Sequence, residues 1–200
     1  MIVALSGYAR SGKDTVAEII TRHNPIWKVK KFSGKLKQVA SILTGIPPSM
    51  FEDQKFKEQV LHGWERKRWE GRLQINGEVH ADYYIKETTV RDFLQRLGTD
   101  AIRNVLHENA WVNALFSEYY NTDNWIITDC RFPNEYEAVK NWGGVVIRVD
   151  RPNITPVNAH VSETALDLYE FDYTIVNKGT LEDLEETTLM VYENIISYAP

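Results

Sequence analysis

Only one cysteine, Cys130, occurs in 200 residues. That excludes an intramolecular disulfide and any zinc site built from several thiolates. Long apolar runs are also missing. Stretches such as Ile2 to Leu5 and Val145 to Ile147 fall far short of the roughly 18 residues that suggest a bilayer span, so no membrane partner is expected. Met1 opens into a strand-like run with no basic flank and no small-residue cleavage site, which is not how a secretory signal begins. A cytoplasmic protein is expected. Positive charge is in deficit, with 23 Lys and Arg against 28 Asp and Glu for a net charge of −5. Phosphate-rich polymers are held mainly by clustered cations, so a nucleic-acid polymer is not an expected partner, whereas a small anion in a local basic pocket is compatible. No linker, repeat or low-complexity segment interrupts the chain.

What is present is globular. Hydrophobic residues make up 43% and charged residues 26%, enough apolar material for one core of ordinary size, and the whole of 1–200 is expected to form a single domain. Met1 to Ser6 reads as a buried strand, Gly7 to Gly12 as a loop, and Thr15 to His23 as a helix with Val16, Ala17, Ile19 and Ile20 at helical spacing. Further strands are expected at Trp27 to Phe32, Trp125 to Thr128, Val145 to Val149 and Tyr173 to Val176. Helices are expected at Lys35 to Leu43, Pro133 to about Trp142 and Leu181 to Ile196. Asn76-Gly77 between Leu73 to Ile75 and Glu78 to His80 signals an inserted β-hairpin. Helical spacing recurs on either side of Gly98-Thr99, as two helices or one broken helix. Strands alternating with helices predict an α/β fold, a mostly parallel sheet covered on both faces, with ligands at the strands' carboxyl ends.

The strongest motif is Gly7-Tyr8-Ala9-Arg10-Ser11-Gly12-Lys13, a GxxxxGK pattern set between a strand and a helix. Its glycines permit close backbone approach, so that successive N–H groups surround a phosphate at the helix's positive end while Lys13 neutralises the outer oxygens. Nucleotide binding follows, and the spacing does not match the GxGxxG of dinucleotide folds. The hydroxyl residue that usually follows the lysine is replaced by Asp14, with Thr15 next. Asp14 could ligate Mg²⁺, bind its water shell or cap the helix, and Thr15 could still touch an inner phosphate.

With this loop, four further segments resemble the bacteriophage deoxynucleoside monophosphate kinases, a branch of the P-loop nucleoside monophosphate kinase fold. They are Phe32-Ser33-Gly34-Lys35-Leu36-Lys37, Thr89 to Asp100 (TVRDFLQRLGTD), Ile127-Thr128-Asp129-Cys130-Arg131 and Asn177-Lys178-Gly179-Thr180-Leu181. The resemblance spans most of the chain but little of Phe51 to Glu87. It implies a three-layer P-loop NTPase fold with an acceptor-binding helical region over 33–122 and a lid over 151–166. It also implies Mg²⁺-assisted transfer of the ATP γ-phosphate to a deoxynucleoside 5′-monophosphate. Phosphomevalonate- or dephospho-coenzyme A-type kinases share the scaffold and remain alternatives, as does a non-catalytic ATP-binding module. A homodimer is left open, and a phage-encoded protein would act in the host cytoplasm.

The resemblance places ATP against Gly7, Arg10, Ser11, Gly12, Lys13, Asp14 and Thr15, with Asn177 and Gly179 beside the adenine, although Asn-x-Gly alone is a common turn. Lys37 would lie on an acceptor-binding helix, or be an exposed lysine without a role. Arg91 and Gln95, four apart on one helix face, could grip phosphate and base or form a solvated polar face. Arg103 would join them only if Gly98-Thr99 breaks the axis. Trp111 could stack on a base or fill the core. Asp129 resembles the carboxylate that holds the water shell of Mg²⁺, and Arg131 could reach the transferring phosphate; a salt-bridged strand end is the plainer reading of that pair. Arg151 could close a lid over the phosphates or lie on the surface. Cys130 reads as a small buried spacer, and His160 has no metal-ligand partner at suitable spacing.

Overall fold

A computed structural model describes residues 1–75, 78–154 and 164–197, with backbone alone over 66–86. The chain divides into two compact units, one formed by Met1–Lys35 with Asn109–Pro200 and the other by Leu36–Glu108. The second unit lies inside the 33–122 stretch.

The first unit is built on five strands, β1 (Ile2–Ser6), β2 (Trp27–Lys30), β5 (Asn124–Ile127), β6 (Val145–Asp150) and β7 (Tyr173–Val176). They form one parallel sheet of order β2-β5-β1-β6-β7. Every residue of β1 is buried, as a central strand covered on both faces requires. Alternation sorts its side chains. Val3 and Leu5 face a core shared with α1 (Lys13–His23) and α7 (Leu181–Ser197), where Val16, Ile20, Leu184, Val191 and Tyr192 pack. Ile2 and Ala4 face the opposite core with Phe32, Val112, Leu115 and Val139, drawn from α2 (Phe32–Thr44), α5 (Ala110–Phe116) and α6 (Pro133–Asn141). The expected α/β layering is therefore present. Strand order reverses at β1, and the carboxyl end of such a switch point is where ligands bind in open α/β sheets.

Most boundaries fall within one or two residues of expectation. α2 starts at Phe32, three residues before the expected Lys35, because a residue distant in sequence caps it: Phe32 N and Ser33 N donate to the two carboxylate oxygens of Asp129, at 2.8 and 2.9 Å. Neither Gly34 nor the local pattern signals that cap.

The second unit has its own core of Ala40, Phe51, Leu61, Val90, Phe93 and Leu94. It holds a short 3₁₀ turn (Pro48–Glu52), α3 (Gln54–Lys57) and a hairpin of β3 (Arg66–Ile75) and β4 (Glu78–Lys86). The hairpin pairs Ile75 with Glu78, as the Asn76-Gly77 turn predicts, although those two residues themselves lie outside the described ones. α4 (Val90–Gln95) opens with a Thr89–Asp92 capping box and runs directly into a wide π-helical segment, Arg96–Leu106. Gly98-Thr99 thus widens the turn instead of ending the helix. A Cβ at Gly98 would sit 2.9 Å from Leu36 Cδ2, so the glycine is there for close packing. Among the described residues no helix is long and apolar enough to cross a membrane.

Surface ion pairs should give the first unit a small acid-sensitive part of its stability. Hydrogen bonds from Lys35 and Lys30 outweigh desolvation and hold Glu118 below its ordinary 4.5, and Lys28 holds Asp123 below 3.8. Groups depressed in the folded state add stability above their ordinary pKa, and it is lost as pH falls through the folded value. The melting temperature is expected to be level from neutrality to about pH 5 and to fall below about pH 4. Glu118→Gln should flatten part of that fall; an unchanged profile in thermal scans would remove these pairs from the account.

Candidate active site

The loop after β1 carries backbone conformations that most residues avoid. Gly7 has φ 136 and Gly12 φ 111. A Cβ at Gly7 would collide with the Val149 carbonyl, and one at Gly12 would stand 2.7 Å from Asn177 Nδ2. Between them Arg10 adopts φ 67, a left-handed conformation that costs a non-glycine residue roughly 1–2 kcal/mol. Such strain clusters where a ligand is gripped. Gly12 is the N-cap of α1, and the first intrahelical bond runs from Val16 N to Gly12 O at 2.9 Å. The amides of Asp14 and Thr15 therefore lie ahead of the helix ladder, at the positive end of its dipole.

Lys13 is buried and folds back along the loop, its Nζ donating to the carbonyls of Gly7 at 2.8 Å and Tyr8 at 2.7 Å. The ammonium is thus held at the loop's mouth. Across from it, Asn177 Nδ2 donates to Ser11 O at 2.9 Å. The Asn177 side chain therefore supports the phosphate loop's backbone from the loop after β7. A Cβ at Gly179 would collide with the Asp183 carboxylate, which caps α7 by accepting from Thr180 N at 2.8 Å.

These segments enclose a cleft of about 390 Å³, lined by Arg10, Gly12, Lys13, Asp14, Thr15, Arg151, Asn177, Gly179, Thr180, Leu181 and Leu184. Most of the residues expected around ATP meet here and Arg151, expected in the lid, joins them, whereas Gly7 and Ser11 belong to the loop without lining the cleft. Three cations and one carboxylate line the cleft of a protein whose net charge is −5. Sequence reasoning does not single out Thr180, Leu181 and Leu184 as site residues. The one available signal is Leu181 and Leu184 recurring one turn apart at the start of the final helix.

Asp14 pairs with Lys31 Nζ at 3.1 Å. Partial desolvation raises its carboxyl, but the hydrogen bond and charge of Lys31, helped by the Thr128 hydroxyl and the charge of Lys13, outweigh it and leave the group below its ordinary 3.8. The Thr128 hydroxyl is close enough to favour that charge, yet it stands outside hydrogen-bonding geometry and has no other partner among the described residues although Thr128 is buried. Asp129 is engaged by the α2 amides as described. Arg131 follows it, with its backbone N donating to Glu135 Oε2 at 2.8 Å; it does not line the cleft. Cys130 is buried, and burial pushes its thiol well above the ordinary range, as a spacer requires.

Trp111 is only 6% exposed, on the inward face of α5, where packing occupies it. In the second unit Lys37 is buried in an ion pair with Glu52. Arg91 donates to Glu58 at 2.6 Å and to Gln54 at 3.2 Å, while Gln95 is half-buried. Arg103 bonds the Glu108 carbonyl at 3.5 Å. His160 and most of the 151–166 lid stretch lie outside the described residues.

A family model for deoxynucleotide monophosphate kinase matches residues 67–188. The chain belongs to the deoxynucleotide monophosphate kinase family. It is 25% identical over 229 residues to the deoxynucleotide monophosphate kinase of Enterobacteria phage T4, covering 92% of this chain and 95% of that one. It is 24% identical over 238 residues to the deoxynucleoside-5′-monophosphate kinase of Escherichia phage T5, covering 96% and 94%. A 101-residue match at 32% identity to the kinase of Escherichia phage RB69 covers 48% of this chain and 41% of the relative. The family match begins after the phosphate loop, so the loop's geometry is independent support for nucleotide chemistry in this member of the family.

Proposed function

We propose that the protein transfers the γ-phosphate of ATP to a deoxynucleoside 5′-monophosphate, yielding ADP and the deoxynucleoside diphosphate. The observation that carries this reading is the cationic cleft joining the phosphate loop to the Asn177–Leu184 segment, in a chain of this kinase family. The triphosphate lies on the amides that open α1, with Lys13 and Arg10 against its outer oxygens and the adenine beside Gly179, Thr180 and Leu181. An oxygen of the acceptor's phosphate attacks the γ-phosphorus in line, and the bond to the bridging oxygen of ADP breaks. Lys13 and Arg151, which line the cleft, stabilise charge on the equatorial oxygens as it develops, so positioning and electrostatics supply the catalysis. In the second unit Arg91 and Gln95 receive the acceptor, while Lys37 stays in its buried pair with Glu52. Arg91 exchanges its partly exposed carboxylate partner for the substrate's phosphate, at little cost because such pairs contribute about 0–1 kcal/mol.

The residues present fit Mg²⁺. The Thr128 hydroxyl, unpartnered among the described residues and beside the ionised Asp14, offers hard oxygen donors where the usual loop hydroxyl is missing, and the remaining lone pairs of Asp129 can accept from the ion's water shell. When bound with the triphosphate, Mg²⁺ draws off negative charge. Family membership favours a mononucleotide acceptor over phosphomevalonate or dephospho-coenzyme A.

The test is ADP release from ATP and Mg²⁺ with each ribo- and deoxyribonucleoside monophosphate in turn. At least one deoxynucleotide is expected to raise ADP release about a hundredfold or more over ATP alone. Release independent of every mononucleotide, or its absence, would overturn the reading.

A further inference from the structure

Arg148 is the one guanidinium in the interior of the parallel sheet among the described residues, 9% exposed on β6 beside Ser6 of β1. Taking such a charge out of water is costly unless it is paired, and here it is paired twice. Its Nε donates to Asp150 Oδ1 at 2.9 Å and its Nη2 to Asp167 Oδ1 at 3.1 Å. It also lies 4.8 Å from the centre of the Tyr8 ring and 5.6 Å from that of Phe171. It does not line the nucleotide cleft. With two carboxylates bound, it is no reservoir of positive charge for phosphate.

Its geometry leads instead to the phosphate loop. The second oxygen of Asp167 accepts from the Tyr8 hydroxyl at 2.8 Å, so one carboxylate binds both the guanidinium and the phenol. Tyr8 is a loop residue whose own carbonyl accepts from Lys13 Nζ at 2.7 Å and from Ser11 N at 3.2 Å. The ring is fixed on its face by Arg148 and at its tip by Asp167, which leaves the attached peptide little freedom to turn. We propose that Arg148 and Asp167 are positioning residues that act through Tyr8 to set the Lys13 ammonium where the transferring phosphate passes. This rests on the reading above that Lys13 meets ATP. An error of about half an ångström in such a cation costs rate because its stabilisation depends on being preorganised.

Tyr8→Phe isolates the tie, since it keeps the ring on Arg148 and deletes only the bond to Asp167. ATP affinity by calorimetry, kcat and both KM values are measured for wild type, Tyr8→Phe, Asp167→Asn, the double variant and Tyr8→Phe in the Lys13→Ala background. Tyr8→Phe and Asp167→Asn are each expected to weaken ATP binding and lower kcat/KM for ATP about tenfold, the cost of one charge-assisted hydrogen bond. The acceptor KM should stay within about twofold and the two losses should not add, because they break one bond. In the Lys13→Ala background Tyr8→Phe should change ATP affinity by less than about twofold, a result that a merely structural role would not produce. Wild-type-like constants for Tyr8→Phe, or the same loss of ATP affinity with Lys13 absent, would overturn the proposal. Should Asp167→Asn not fold, Tyr8→Phe decides alone. If wild type itself binds no ATP, the reading of the cleft falls with it; if wild type binds and Tyr8→Phe matches it, only this inference falls.

Discussion

Lys13→Ala is expected to lower kcat by about a thousandfold, the scale of removing one preorganised donor from a developing anion, while the protein keeps its fold. The ammonium bonds the Gly7 and Tyr8 carbonyls at the rim of an open cleft, where water can replace it, so thermal unfolding should shift by only a few degrees. The acceptor KM should be little changed if, as proposed, the lysine serves the donor phosphates. Coupled ADP release and differential scanning fluorimetry check both halves. Turnover within about tenfold of wild type would remove Lys13 from the chemistry and with it the assignment of the cleft.

Asp129→Ala should give the largest loss of stability. Its carboxylate accepts from Phe32 N and Ser33 N, and Phe32 is 2% exposed, so its removal strands amides that water cannot easily reach. Each such orphan costs about 1–3 kcal/mol, and about 3 kcal/mol in total corresponds to a melting temperature lower by about 6–12 °C for a chain of this size. Asp129→Asn retains one acceptor and should fall between. Turnover measured well below the melting point separates structure from chemistry. An Asp129→Asn variant with wild-type stability and no turnover would assign the carboxylate to the metal's water shell rather than to α2.

These two residues also mark what can be read from the sequence. The phosphate loop is legible because its function depends on local backbone: glycines at fixed spacing, a lysine, and a helix beginning at once. The strands of the parallel sheet are legible as short apolar runs, since burial on both faces leaves few alternatives to Val, Ile and Trp. The start of α2 is not, because its cap comes from Asp129, 97 residues away. Tyr8 reads as a variable loop position for the same reason, since Arg148 and Asp167 reach it through the fold. Periodicity is equally silent over the 3₁₀ turn and α3, which are too short to establish a repeat. For Lys37 and Arg91 the sequence leaves a solvated cation open, because the carboxylates they bind, Glu52 and Glu58, lie on or beside those same short elements and give no periodic signal.

The nucleotide cleft draws one wall from residues 10–15 and the other from residues 177–184. A ribosome adds roughly 5–20 residues per second, so the loop that grips phosphate emerges many seconds before the wall opposite it exists. Nascent chains, and any product of premature termination before α7, therefore carry half a binding site and lack the Asn177 brace beneath Ser11. On the reading proposed above, nucleotide capture waits until residues 177–184 have been made.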